Sequence, residues 1–179
     1  MQKLLLFFAH FCLSSFVHPF PDKENGSLLI QEAPTTDPEV WMNITKIIQL
    51  YSYYTEEHYV TTEDHYILCL IRMQNSSKFR EGNKVVFLQH GLFDNAHTWV
   101  NNLQNQSLGF ILADAGYDVW LGNSRGTNYS RGHAKLTTDD QSYWDFSWDE
   151  MADYDLPASI NYVLSTTKTK SLAYIGHSQ

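Results

Sequence analysis

Ser171-Leu-Ala-Tyr-Ile-Gly-His-Ser-Gln179 is the stretch on which the reading of this chain turns. Ser171 to Ile175 has the composition of a short apolar strand, and Gly176-His-Ser178 opens a G-x-S-x-G pattern whose closing glycine would be residue 180. In such an elbow the serine stands at the tip of a sharp strand-to-helix turn. Small flanking residues let the backbone make that turn with Oγ exposed. Taken alone, Gly-His-Ser-Gln is a weak signal, because a Gly-x-Ser after a strand is usually just a loop. Its weight comes from what lies upstream.

Within Lys84–Gln89, Val85-Val-Phe-Leu88 is a continuous apolar run of the kind that forms a strand covered on both faces. His90-Gly91-Leu92 follows directly, at the place where a loop donating an oxyanion-hole N–H is expected. Ser178 is therefore the candidate nucleophile, and the backbone amides of Leu92 and Gln179 are the candidate oxyanion donors. One such donor is typically worth about 10²–10³ in rate.

Further from the elbow, apolar residues at Val40, Ile44, Ile47, Ile48 and Tyr51 predict a helix over Glu39–Tyr51, with Asp37-Pro38 as its start signal. Glu57–Thr62 and His65–Met73, separated by the turn-forming Glu63-Asp64, predict a hairpin. Leu108–Ala115 reads as a helix ended by Gly116, Tyr117–Leu121 as a strand closed by Gly122, and Asp149 to about Thr166 as a helix that Pro157 kinks or divides. The order hairpin, strand, helix, strand, helix, strand predicts an α/β architecture, a mixed sheet that becomes parallel, with helices on its faces.

The N-terminus has a separate character. Lys3 followed by the apolar run Leu4–Leu13, small residues at Ser14-Ser15 and the helix-hostile His18-Pro-Phe-Pro21 have the layout of a signal peptide over residues 1–15. The run is too short to span a membrane, so no transmembrane segment is expected. Residues 16–37 then form a polar mature extension, and 38–179 one domain. Five Asn-x-Ser/Thr sequons, at Asn25, Asn43, Asn75, Asn105 and Asn128, follow the leader and predict a glycoprotein of the secretory pathway. A net charge of -8 without any Lys/Arg cluster excludes a nucleic-acid partner. Once Cys12 leaves with the leader only Cys69 remains, which reads as a small buried strand residue.

Several long blocks carry a resemblance: Thr62-Glu-Asp-His-Tyr-Ile-Leu68, Phe87-Leu-Gln-His-Gly-Leu92, the run from Phe110 through Gly122-Asn-Ser-Arg-Gly126, Asp149-Glu-Met-Ala-Asp-Tyr-Asp-Leu-Pro-Ala158, and Gly176-His-Ser-Gln179. From Pro38 onward the chain resembles the acid lipase family, the gastric and lysosomal acid lipase type, and with it the α/β-hydrolase fold. The resemblance implies a hydrolase of triacylglycerols or cholesteryl esters, working at an oil–water or membrane interface and located outside the cell or in the lysosomal lumen. It implies an acyl-enzyme on Ser178, with Leu92 and Gln179 at the oxyanion and neither metal nor organic cofactor. The chain departs from the family at Cys69, where a smaller residue is usual, and at Thr127-Asn-Tyr-Ser130, where a tryptophan is usual.

In this fold the triad runs in the order serine, acid, histidine, so acid and base are both expected after Ser178. The 179 residues then read as the N-terminal part of a lipase, truncated after the elbow and, by itself, expected to turn over little. A catalytically incomplete secreted glycoprotein and a small-ester carboxylesterase are the alternatives. His177, His133 and Asp153 are not promoted to the triad, and His90 reads as a hydrogen-bonding residue. The Gly122–Gly126 turn reads first as a loop, and Trp144, Phe146 and Trp148 as core packing or the base of a lid. Asp149, Glu150, Asp153 and Asp155 read as a solvated acidic helix start and not as a metal cluster.

Overall fold

The structure, a computed structural model, describes residues 38–178. The expected leader at 1–15, the expected extension 16–37 with Asn25, and Gln179 lie outside the described residues. In chain order the strands are β1 (Tyr54–Thr61), β2 (Tyr66–Gln74), β3 (Val85–Gln89), β4 (Asp118–Leu121), β5 (Gly132–His133) and β6 (Ala173–Gly176). The α-helices are α1 (Ile44–Leu50), α2 (Leu108–Asp114), α3 (Trp148–Glu150) and α4 (Leu156–Thr167), with a π-helical turn at Met151–Asp155 between the last two.

The sheet runs β1-β2-β4-β3-β6, and β5 pairs with β2 off this path. It is mixed: β2 pairs antiparallel with β1, β4 and β5, whereas β3 pairs in parallel with β4 and β6. The parallel half carries the elbow, because register Gln89↔Gly176 sets the ends of β3 and β6 side by side.

Alternation explains why the apolar runs are continuous. Val86, Leu88, Val119 and Leu121 join a core with Ile44, Ile48 and Phe110 of α1 and α2. Val85, Phe87 and Trp120 point the other way, to a core with Val163 of α4. Each strand is buried on both faces, so neither face needs a polar residue.

The expected helix over Glu39–Tyr51 is divided into a 3-10 turn at Pro38–Trp41 and α1, because the Asn43 carboxamide accepts from Lys46 N at 3.0 Å and starts a new helix. At the other end, Ser147 caps α3 in a capping box with Glu150, one residue ahead of the predicted start. Cys69 is buried in β2, and burial pushes its thiol up to about 12, which leaves it unreactive. Among the described residues no helix is long and apolar enough to cross a membrane.

Candidate active site

Ser178 follows β6 with φ at +67°, the left-handed region that a serine adopts only where its surroundings force it. Parallel pairing continues into the elbow through His177 N donating to Gln89 O at 3.1 Å. The loop after β3 then meets the serine directly. A Cβ added to Gly91 would stand 2.7 Å from Ser178 Cβ, 2.8 Å from His177 O and 3.2 Å from Ser178 Oγ. Only glycine fits, since two backbones approach at this point.

Beyond Gly91 the chain turns, with Asp94 N donating to Gly91 O at 3.2 Å and Phe93 held at φ +60°. The Leu92 N–H donates to no protein group among the described residues. It is an unspent donor beside the serine, which is what an oxyanion-binding amide has to be. His90 holds this loop in place. Its Nε2 accepts from Ser124 N at 3.1 Å, so the proton sits on Nδ1 and is donated to Gly91 O at 2.8 Å. Burial lowers the His90 pKa and keeps that imidazole neutral.

Ser124 belongs to the Gly122–Gly126 turn, which proves to be more than a loop. The Arg125 side chain is fully buried. Its Nη1 and Nη2 reach Asp64 at 2.5 and 2.9 Å, its Nε and backbone N reach Asp155 at 2.8 and 2.9 Å, and its guanidinium lies 3.9 Å over the Tyr66 ring. Burial works against the charge, but the hydrogen bonds to Asp64 and Asp155 outweigh it and the Arg125 pKa is raised. The reading of Asp155 as part of a solvated helix start is therefore corrected: it is buried and serves as the counter-ion of Arg125. Asp149 and Asp153 do stand exposed. The core-packing reading holds for Phe146, which packs against the cluster of Tyr66, Leu68 and Tyr143, and is corrected for Trp144 and Trp148, which are 46% and 60% exposed.

A cavity of about 420 Å³ opens beside the elbow, lined among others by Gly91, Leu92, Phe93, Arg125, Trp144 and Met151. Gly91 is the wall it shares with Ser178, which does not itself line it. The rim is apolar: Leu92 is 41% exposed and Phe93 wholly so.

No carboxylate or imidazole among the described residues hydrogen-bonds to Ser178 Oγ. His133 is used elsewhere: its Nδ1 accepts from Lys135 N and Leu136 N while Nε2 donates to Asp64 O. Nor does any group of three or more His, Cys, Asp or Glu there stand close enough to hold a metal ion.

The sequence singled out Ser178 and Leu92 as candidates and His90 as a hydrogen-bonding residue, but did not reveal the Gly91 contact, Ser124 as the partner of His90, or the Arg125 clamp. An arginine between two glycines after an apolar strand was the one available sign of the last. Gln179, the second expected donor, lies outside the described residues.

Two families match the chain, one described as a partial alpha/beta-hydrolase lipase region over residues 44–103 and one as the alpha/beta hydrolase fold over residues 84–179. The lysosomal acid lipase/cholesteryl ester hydrolase of Homo sapiens is 54% identical over 146 residues, 80% of this chain and 37% of that protein. Lipase member K of Mus musculus is 51% identical over 147 residues, again 80% of this chain and 37% of the relative. The chain thus spans little more than a third of the curated relatives it matches. An esterase from Pyrococcus furiosus aligns with a TM-score of 0.53 at 21% identity, covering 75% of this chain and 43% of that one, which is a likeness of fold.

Proposed function

Because the chain belongs to the α/β-hydrolase-fold family and carries that family's partial lipase region, we propose that it supplies the nucleophile and oxyanion loop of a hydrolase of neutral-lipid carboxylic esters, triacylglycerols or cholesteryl esters. One observation carries the reading. Ser178, at positive φ on the tip of β6, is packed against Gly91, next to the unbonded Leu92 amide.

In this mechanism Ser178 Oγ attacks the ester carbonyl as its proton passes to a histidine from outside the described residues. The carbonyl oxygen becomes an oxyanion, held by the amides of Leu92 and Gln179. The alcohol leaves with the proton, and water then resolves the acyl-enzyme. The exposed apolar rim of Leu92, Phe93 and Trp144 suits an acyl chain and a lipid surface better than a small soluble ester. The sequons support synthesis in the secretory pathway, with delivery outside the cell or to the lysosomal lumen.

The test is hydrolysis of triolein and cholesteryl oleate emulsions by protein expressed from the natural transcript, with and without Ser178→Ala. The substitution is expected to lower the rate by about 10³-fold or more. Emulsion hydrolysis at an unchanged rate in the variant overturns the assignment. Activity confined to soluble short-chain esters replaces the lipase with a carboxylesterase.

A further inference from the structure

The sequon Asn128-Tyr129-Ser130 stands in a part of the fold that the other described sequons do not share. Its loop is closed by Gly126 N donating to Ser130 O at 2.9 Å and Ser130 N donating to Thr127 O at 3.0 Å. The two residues after the asparagine are fixed inward. Tyr129 Oη accepts from Ile44 N at 3.1 Å and shares a hydrogen bond with His97 Nε2 at 2.6 Å, while the fully buried Ser130 donates its hydroxyl to Asn123 O and accepts from Cys69 N, both at 2.9 Å.

Asn128 is left at the apex, exposed, its carboxamide hydrogen-bonded to nothing among the described residues. That apex is itself part of the wall of the 420 Å³ cavity beside Ser178. By contrast, the Asn43 carboxamide caps α1 and the Asn75 Nδ2 donates to Asp114 at 2.8 Å. Asn43, Asn75 and Asn105 do not line the cavity.

We infer that Asn128 carries an N-linked oligosaccharide that stands over the mouth of this cavity and covers its aromatic rim, so that an acyl ester reaches the site only by passing beside the glycan. The inference rests on the secretory reading above. Transfer to the sequon occurs on the unfolded chain, before Ser130 is buried, and folding then fixes the direction in which the sugar leaves. The direction is set because the loop is anchored on both sides of its apex. The apolar C–H faces of the sugar rings have exposed partners in Phe93 and Trp144, and the hydroxyl edges remain in water. A bulky hydrophilic group at this point keeps the apolar rim off other protein surfaces and narrows the approach for a flat lipid interface.

The experiment expresses the chain in a secretory mammalian host and reads occupancy of each sequon from the mass shift left by enzymatic deglycosylation in heavy-oxygen water. Hydroxyl-radical footprinting then compares three forms: intact glycoprotein, glycoprotein trimmed to a single N-acetylglucosamine, and Asn128→Gln. Occupied Asn128, with Phe93 and Trp144 labelled severalfold less in the intact form and Trp41 labelled equally in all three, is the expected result. Empty Asn128 beside occupied Asn43, Asn75 or Asn105 overturns the inference and leaves the secretory reading standing. Wholly unmodified protein overturns both. Occupied Asn128 without protection of Phe93 and Trp144 overturns the covering role.

Discussion

Arg125 carries two ion pairs near the site, since one buried guanidinium holds Asp64 of the β1–β2 turn and Asp155 of the π-helical turn. Removing it leaves Asp155 buried without its partner. Arg125→Met is expected to cost about 3–5 kcal/mol in urea unfolding, with part of the loss recovered in Arg125→Met/Asp155→Leu, because a buried ion pair replaced by apolar groups is often close to neutral. His97 makes the second case. Burial lowers its pKa below the ordinary 6.5, so on acidification the unfolded chain takes up a proton that the folded chain refuses. Stability contributed by neutral His97 is present above that value and is lost as pH falls below it. Unfolding free energies measured at about pH 7 and about pH 5 are expected to differ less in His97→Gln than in the unsubstituted chain. These two residues also mark the limit of what could be read in advance. Ser178 and Leu92 could be singled out as candidates because each lies in a short local motif beside a strand. Of the two partners of Arg125, Asp155 is 30 residues away and acidic among other acidic residues, so nothing in the pattern distinguishes it from Asp153.

At the scale of elements, the caps decide where helices begin. Asn43 is both the N-cap of α1 and a sequon asparagine, and these roles separate under substitution. Asn43→Ala is expected to lower the stability of unglycosylated protein by about 1 kcal/mol, and Asn43→Asp to leave it nearly unchanged, because aspartate keeps the accepting oxygen. Urea midpoints of the two variants provide the check. The same residue explains why one predicted helix became two pieces: apolar spacing ran on through Asn43, but a side chain that bonds the backbone competes with the helix on its N-terminal side. Strands β3, β4 and β6 and helix α2 were readable to within two residues, since Gly or a turn bounds each. The two-residue β5 was not, because its pairing with Tyr66 and Ile67 depends wholly on tertiary position.

At the scale of the whole sheet, β6 pairs with β3 on one side and, among the described residues, with no strand on the other. Three of its four residues are exposed. An unpaired edge of this kind templates pairing with another chain. The 179-residue chain is expected to self-associate in sedimentation velocity at micromolar concentration, and Ala173→Lys to shift it toward monomer. Unchanged monomer content across the concentration range in both forms contradicts an open β6 edge.

The order of strands in space also imposes an order in time. Both neighbours of β3 are made after it: β4 is completed 32 residues later, counting from Gln89 to Leu121, and β6 later still at Gly176. At roughly 5–20 residues per second a ribosome needs about 2–6 s for the first of these gaps. Throughout that interval β3, with its continuous apolar run Val85–Leu88, has neither of its sheet neighbours, so nascent-chain chaperones and local codon speed can act on it before any contact of the finished sheet.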